Sequence, residues 1–245
     1  MSSNMEKGRL LYQTKRYDLA QRLFEEELAS NPEDADANSY LSLCLAHQER
    51  FEAAIEACGR AVAFAPENWF SYYAAAQVHR LADKPKAAMK LVLQALEIDS
   101  QSLGCNLLAA MLSVDQKNWT EALEWAEKAL QLDPADGEAQ NIKALVYLHT
   151  GKTKEADLLL HDLLGLDPTD SFTLSNLGWS HLRQSQAQKA LDFFSRALAE
   201  DPENGNARDG LMHALRSQYP LYGIVLKYFM WMSKFSTREQ MTITF

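Results

Sequence analysis

The stretch GEAQNIKALVYLHTGKTKEADLLLHDLLGLDPTD, Gly137 to Asp170, decides the fold. Its apolar residues recur at helical spacing, and they do so twice. Ala139, Ile142, Leu145 and Val146 make one stripe; Ala156, Leu159, Leu160, Leu163 and Leu164 make a second. Gly151-Lys152 between them is a turn signal. Asp167-Pro168 stops the second stripe, because the residue before a proline is pushed out of the α region. The stretch reads as an antiparallel helix pair of 34 residues.

The same interval of 34 runs outward in both directions. Pro32, Pro66, Pro134, Pro168 and Pro202 share it, with Ser100 in the skipped slot. Ala20, Ala54, Ala88, Ala122, Ala156 and Ala190 fall at it without a miss. Leu28, Val62, Leu96, Leu130, Leu164 and Leu198 form an aliphatic column, and Gly8, Ser42, Ala76, Ala110, Ala144 and Gly178 a small one. Six units span residues 1–204, and residues 205–245 form a divergent seventh helix pair or C-terminal segment. The small columns mark close approach: a larger side chain where one helix crosses the other would push the axes beyond their usual separation of about 8–10 Å. The leucine column is expected at the seam between pairs. No single pair buries its apolar faces alone, so the units must stack.

This pattern resembles the tetratricopeptide repeat family. In the sixth unit Leu174, Leu177-Gly178, Ala190, Phe194, Ala197 and Pro202 occupy the family's slots; the first unit carries Gly8, Ala20, Phe24 and Pro32. Departures are Lys143 in the leucine slot, His79 and His181 in the tyrosine slot, and Ser100 for proline. The resemblance implies an all-α, right-handed superhelical solenoid whose first helices line a concave groove. It also implies a non-enzymatic scaffold or adaptor that binds a protein or peptide partner there. By spacing, the inward residues of the first three units are Tyr12, Tyr40, Leu43, His47, Phe70, Tyr73 and Gln77; those of the next three are Leu107, Leu108, Met111, Ile142, Leu145, Phe172, Asn176, Trp179 and Arg183. This lining is apolar and aromatic, a composition that marks partner sites.

Some family members clamp the C-terminal carboxylate of heat-shock chaperones with Lys, Asn and Arg. The corresponding slots here hold Met5, Arg9, Tyr40, Phe70 and Ala74, or in the next frame Ser39, Leu43, Ala74, Gly104 and Leu108. The forked donors needed for bidentate carboxylate recognition are missing, so a chaperone tail is not the expected partner.

Composition narrows the function classes. The 24 basic and 33 acidic side chains leave a net charge of −9, which excludes nucleic acid as the expected partner. Cys44, Cys58 and Cys105 are widely spaced and form no metal-ligand pair, so they read as small buried hydrophobes. No two of the six histidines lie three or four residues apart on one helix. Phosphate-loop and dinucleotide motifs are absent from the sequence, so no enzyme, cofactor or metal site is expected. The start, MSSNMEKGRLLYQTK, lacks the apolar core of a secretory leader, and a cytoplasmic setting is expected.

The C-terminal 41 residues differ. They hold five of the basic and two of the acidic side chains, so they carry +3 while the first 204 residues carry −12. Leu221–Phe235, LYGIVLKYFMWMSKF, is apolar or aromatic at eleven of fifteen positions. Two readings stand. It is a helix capping the stack, or an interfacial helix at the inner face of a membrane, with Tyr222, Tyr228, Phe229 and Trp231 at headgroup level and Lys227 and Lys234 reaching anionic lipid. The tail is also similar to the stretch that precedes membrane spans in some bacterial repeat proteins, which implies a shortened form or a fragment.

Overall fold

The computed structural model describes residues 3–218. The readings placed on Leu221–Phe235, with Tyr222, Lys227, Tyr228, Phe229, Trp231 and Lys234, lie outside the described residues.

Among the described residues all regular structure is helical, in pairs that follow the repeat. They are α1 (Ser3–Gln13) and α2 (Tyr17–Ser30), α3 (Ala35–His47) and α4 (Phe51–Phe64), α5 (Trp69–Leu81) and α6 (Pro85–Ile98), α7 (Leu103–Asp115) and α8 (Trp119–Leu132), α9 (Gly137–His149) and α10 (Thr153–Leu166), α11 (Ser171–Arg183) and α12 (Ala187–Glu200), then α13 (Gly205–Gln218). Met1–Val146 and Tyr147–Phe245 are separate compact units, and the division falls within α9.

Local chemistry fixes both turns of each repeat. The turn inside a pair places one residue in the left-handed region: Lys15, Glu49, Asp83, Lys117, Gly151 and Ser185, with φ from 54° to 85°. The following N–H then donates back to the carbonyl five residues earlier, as in Arg50 N to Leu45 O at 2.9 Å and Gln186 N to His181 O at 2.9 Å. This is the six-to-one bond of a Schellman cap, which satisfies a carbonyl orphaned at the helix end. Sequence reading marked only Gly151, because five of the six repeats place an ordinary residue there. In the third to sixth repeats the turn between pairs is held by an Asx turn: Asp99, Asp133, Asp167 and Asp201 each accept from the backbone N–H two residues on, at 2.9–3.1 Å. Asp34, Asn68, Ser102 and Asp170 then cap the next helix.

The alanine column is fully buried in all six repeats. The small column obeys a size rule. Where position 24 of a repeat is phenylalanine, as Phe24 and Phe194, position 8 is glycine; where it is Cys58, Val92, Ala126 or Leu160, position 8 is Ser42, Ala76, Ala110 or Ala144. A Cβ on Gly8 would lie 2.7 Å from the Phe24 ring, and one on Gly178 would lie 2.5 Å from the Phe194 ring. In the Met1–Val146 unit, Ala20, Phe24, Leu41, Cys44, Ala54 and Val78 share one apolar core, with Leu28 and Val62 of the aliphatic column packed half-buried against it. In the Tyr147–Phe245 unit, Leu174, Ala190, Phe194, Ala207 and Ala214 do the same, with Leu164 and Leu198 at the edge. Burying each phenylalanine stabilises by about 1.5–3 kcal/mol.

Candidate functional site

In the Met1–Val146 unit, the first helices bring four aromatic rings into one chain. Tyr12 of α1 meets Tyr40 of α3 edge-on at 5.8 Å between centroids. Tyr40 meets Phe70 of α5 at 4.9 Å, and Phe70 meets Tyr73 at 6.1 Å. All four are half-buried, so each ring rests on the core and keeps part of its surface open. The chain continues to exposed His47, whose Nε2 lies 3.4 Å from the Tyr12 hydroxyl and whose ring stacks on Tyr17 at 4.3 Å. Burial raises the phenols of Tyr12, Tyr40 and Tyr73 above their ordinary value, so they remain neutral rings that carry a hydroxyl.

Polar groups edge this strip. The Arg9 guanidinium lies 5.0 Å over the Tyr40 ring and pairs with Asp36 at 3.1 Å, and Asn68 donates to the other Asp36 oxygen at 3.1 Å. Gln77 donates to the Tyr73 hydroxyl at 3.0 Å. Next to them a cavity of about 130 Å³ is lined by Tyr73, Gln77, Arg80, Gly104, Leu107, Leu108, Met111 and Glu138. Arg80 is itself held by Asp115 at 2.7 Å. The structure thus gathers Tyr73, Gln77, Leu107, Leu108 and Met111 around one space. It adds Asp36, Arg80, Glu138 and Tyr17, which sequence reading passed over, and Arg9, which it weighed only as a slot of the carboxylate clamp. The available signal was their repeat position: Arg9 and Gln77 share one slot, and Asp36, Phe70 and Glu138 share another.

Five residues expected at the surface are placed in the core. Leu43 is 3%, Leu107 8%, Leu108 3%, Ile142 0% and Asn176 0% exposed. At these positions the side chain is sealed by its neighbours although Tyr40, Tyr73 and Gln77 in the same columns stay half open, so a partner cannot reach it directly; Leu107 and Leu108 contribute only where they border the cavity. Leu145 is half-buried.

The Tyr147–Phe245 unit carries its own group. Trp179 is half-buried, meets Phe194 edge-on at 5.6 Å, and donates through Nε1 to the Asn206 side chain at 2.9 Å. Phe172 is half-buried, and exposed Arg183 lies 3.4 Å from His149 Nδ1.

Burial disfavours ionisation of the thiols. Cys44 is pushed up to about 12, and Cys58 and Cys105 to about 11. Among the described residues no group of three His, Cys, Asp or Glu side chains could hold a metal ion, and no helix is long and apolar enough to cross a membrane.

The sequence profile described as "Tetratricopeptide repeat" matches residues 5–68. Profiles described as "Anaphase-promoting complex, cyclosome, subunit 3" and "Psidin, N-terminal TPR repeats region" match residues 48–124 and 111–219. The chain belongs to the tetratricopeptide repeat family. This repeat protein is 23% identical over 145 residues to anaphase-promoting complex subunit 3 of Schizosaccharomyces pombe, an alignment covering 59% of the chain and 21% of the relative. It therefore spans about a fifth of that relative's length. Among solved structures it is similar to a chain of the APC/C hetero-tetramer Cut9-Hcn1, with TM-score 0.72 and 16% identity over 86% of this chain and 42% of that one. It is also similar to YrrB, described as a TPR protein with an unusual peptide-binding site, with TM-score 0.53 and 20% identity over 80% and 97% of the two chains. At these identities the likeness is one of fold. The repeat solenoid is a scaffold for protein–protein interaction.

Proposed function

We propose that the chain is a non-enzymatic adaptor that captures an extended segment of a partner protein along the aromatic strip of its first helices. The observation that carries this reading is the half-open ring chain Tyr12–Tyr40–Phe70–Tyr73, which ends beside the cavity formed with Gln77 and Met111. Rings supply large contact area with few rotamers to freeze, and their hydroxyls reach a peptide backbone. The likeness to a protein described as having a peptide-binding site, and to subunits of a large assembly, supports it. A carboxylate clamp finds no support, because Arg9 is engaged by Asp36 and Met5 and Ala74 are buried.

The test is selection of random peptides on the whole chain, followed by affinity measurement on the winners. Tyr40→Ala with Tyr73→Ala should weaken binding on the order of tenfold or more, the usual effect of truncating an aromatic anchor. Helical circular dichroism should be retained. Peptides that bind the double variant as tightly as the native chain would sink the strip as the site.

A further inference from the structure

Two irregularities of the repeat meet at one place. Position 32 is proline in five repeats and Ser100 in the third; position 23 is tryptophan only in the fourth repeat, as Trp125, where the others carry Leu23, Ala57, Leu91, Leu159 and Phe193. Around this pair lies a cavity of about 410 Å³, lined by Leu96, Ser100, Gln101, Asn106, Trp125, Lys128, Gln131 and Leu132. It shares no residue with the aromatic strip or its cavity. A volume of this size accommodates one aromatic residue and its flanks.

The chemistry of the lining is selective. The chain has 33 acidic against 24 basic side chains, yet this lining holds one ammonium and no carboxylate. The Lys128 ammonium sits 3.7 Å from the Trp125 ring centroid, so charge and ring are presented together. The indole N–H is directed to Glu121 at 3.4 Å, and Asn118 also holds that carboxylate, at 2.6 Å. The ring therefore offers its apolar surface rather than its donor. Asn106 is 2% exposed and spends its amide donor on Ser102 O at 2.9 Å. In the second repeat the same slot, Asn38, accepts at its carbonyl oxygen from Arg60 Nε at 3.0 Å. In the fourth repeat the residue in the Arg60 slot is Lys128, and its ammonium lies on Trp125 instead. The Asn106 carbonyl is thereby left to accept from a ligand.

We propose that this cavity binds the C-terminal aromatic residue of a partner peptide. One such residue carries all three complementary groups on adjacent atoms: a ring for Trp125, Leu96 and Leu132, an amide N–H for the Asn106 carbonyl, and a carboxylate for Lys128. Gln101 and Gln131 supply donors and acceptors for the preceding peptide unit. The site is independent of the aromatic strip, so the two can fail separately.

The test uses the whole ¹⁵N-labelled chain titrated with N-acetyl-Gly-Phe as the free acid and as its C-terminal amide. The readout is the Trp125 indole N–H resonance, assigned with Trp125→Phe. The expected result is a saturable shift with the acid, at a Kd on the order of 1 mM, and binding of the amide roughly fivefold or more weaker, as for loss of a partly exposed charge pair. Lys128→Gln, an exposed position, should erase the preference for the acid. Trp125→Leu, which installs the residue other repeats carry there, should abolish binding while the unfolding midpoint stays close to native. Equal affinity of acid and amide, survival of the preference in Lys128→Gln, or no saturable shift at about ten times that concentration each overturns the proposal.

Discussion

Gly178→Ala should destabilise the Tyr147–Phe245 unit although it improves helix propensity. The new methyl carbon would lie 2.5, 2.6 and 2.8 Å from Cε1, Cδ1 and Cζ of Phe194. Carbon atoms pack best at roughly 3.5–4.0 Å, so the overlap is about 1 Å. The ring has nowhere to go. It is 0% exposed, and on another side Gly210 of α13 approaches so closely that its own Cβ would stand 2.2 Å from the same ring. Alanine gains about 0.8–1.0 kcal/mol over glycine inside a helix, and overpacking a filled core costs about 1–3 kcal/mol. With the ring boxed in, the upper end applies, and the net loss should be about 1–2 kcal/mol. Gly59→Ala is the internal control. Nothing lies within 4 Å of its added Cβ, and it sits mid-helix on the exposed face of α4, so it should stabilise by about 0.5–1 kcal/mol. The assay is urea unfolding by circular dichroism, with amide exchange in α11–α13 as the local readout, because the two compact units need not unfold as one. Phe194→Leu should cost less in the Gly178→Ala background than in the native chain, giving a coupling energy in a double-mutant cycle. If Gly178→Ala is as stable as native, or the cycle shows no coupling, the size rule between positions 8 and 24 is wrong.

Other outcomes follow from single positions. Ser100→Pro should stabilise by about 0.4–1 kcal/mol in thermal or urea unfolding, since Asp99 already has the extended backbone, φ −131° and ψ 92°, of the residues that precede proline in the other repeats. His79 is held below its ordinary value, first by burial and then by Lys84, and its Nδ1 is buried with no hydrogen-bond partner among the described residues. A depressed folded value means stability is present above pH 6.5 and is lost as the pH falls through the folded value, so the Met1–Val146 unit should weaken in mild acid. His79→Tyr, which installs the residue the fifth repeat carries there as Tyr147, should flatten that profile. The three thiols should react with a thiol reagent at pH 8 only slowly until the chain is unfolded, because burial lifts them to about 11–12. The 245-residue chain, but not a version ending at Ser217, should sediment with anionic vesicles at low salt and be released at high salt if the basic aromatic tail docks on lipid; equal behaviour of the two versions removes that reading.

The 34-residue period, the helix pairs, the small columns and the all-α class are legible in the sequence, because each depends on the chain's own near neighbours. A helical stripe, a residue before proline and an alanine at every crossing act within one repeat, and six copies multiply a weak signal. The turn at positions 15, 49, 83, 117 and 185 was not legible, because a Schellman cap tolerates Lys, Glu, Asp or Ser and leaves no glycine to mark it.

The surface was decided only in three dimensions. Tyr40, Ile142 and Asn176 occupy one slot of the repeat, yet Tyr40 stays half open while Ile142 and Asn176 are sealed. Spacing along a helix gives the direction of a side chain; whether that direction ends in solvent depends on the summed sizes of the residues that the neighbouring helices bring. Phe194 shows the same dependence. It fits between Gly178 and Gly210, residues 16 before it and 16 after it, because two chain segments distant from it both give up a side chain at that point. The cavity over Trp125 arises likewise, from the residues that α6, α7 and α8 bring together around Ser100. A period in sequence encodes what repeats; the places where a partner can bind are set by what does not, and only packing brings those exceptions together.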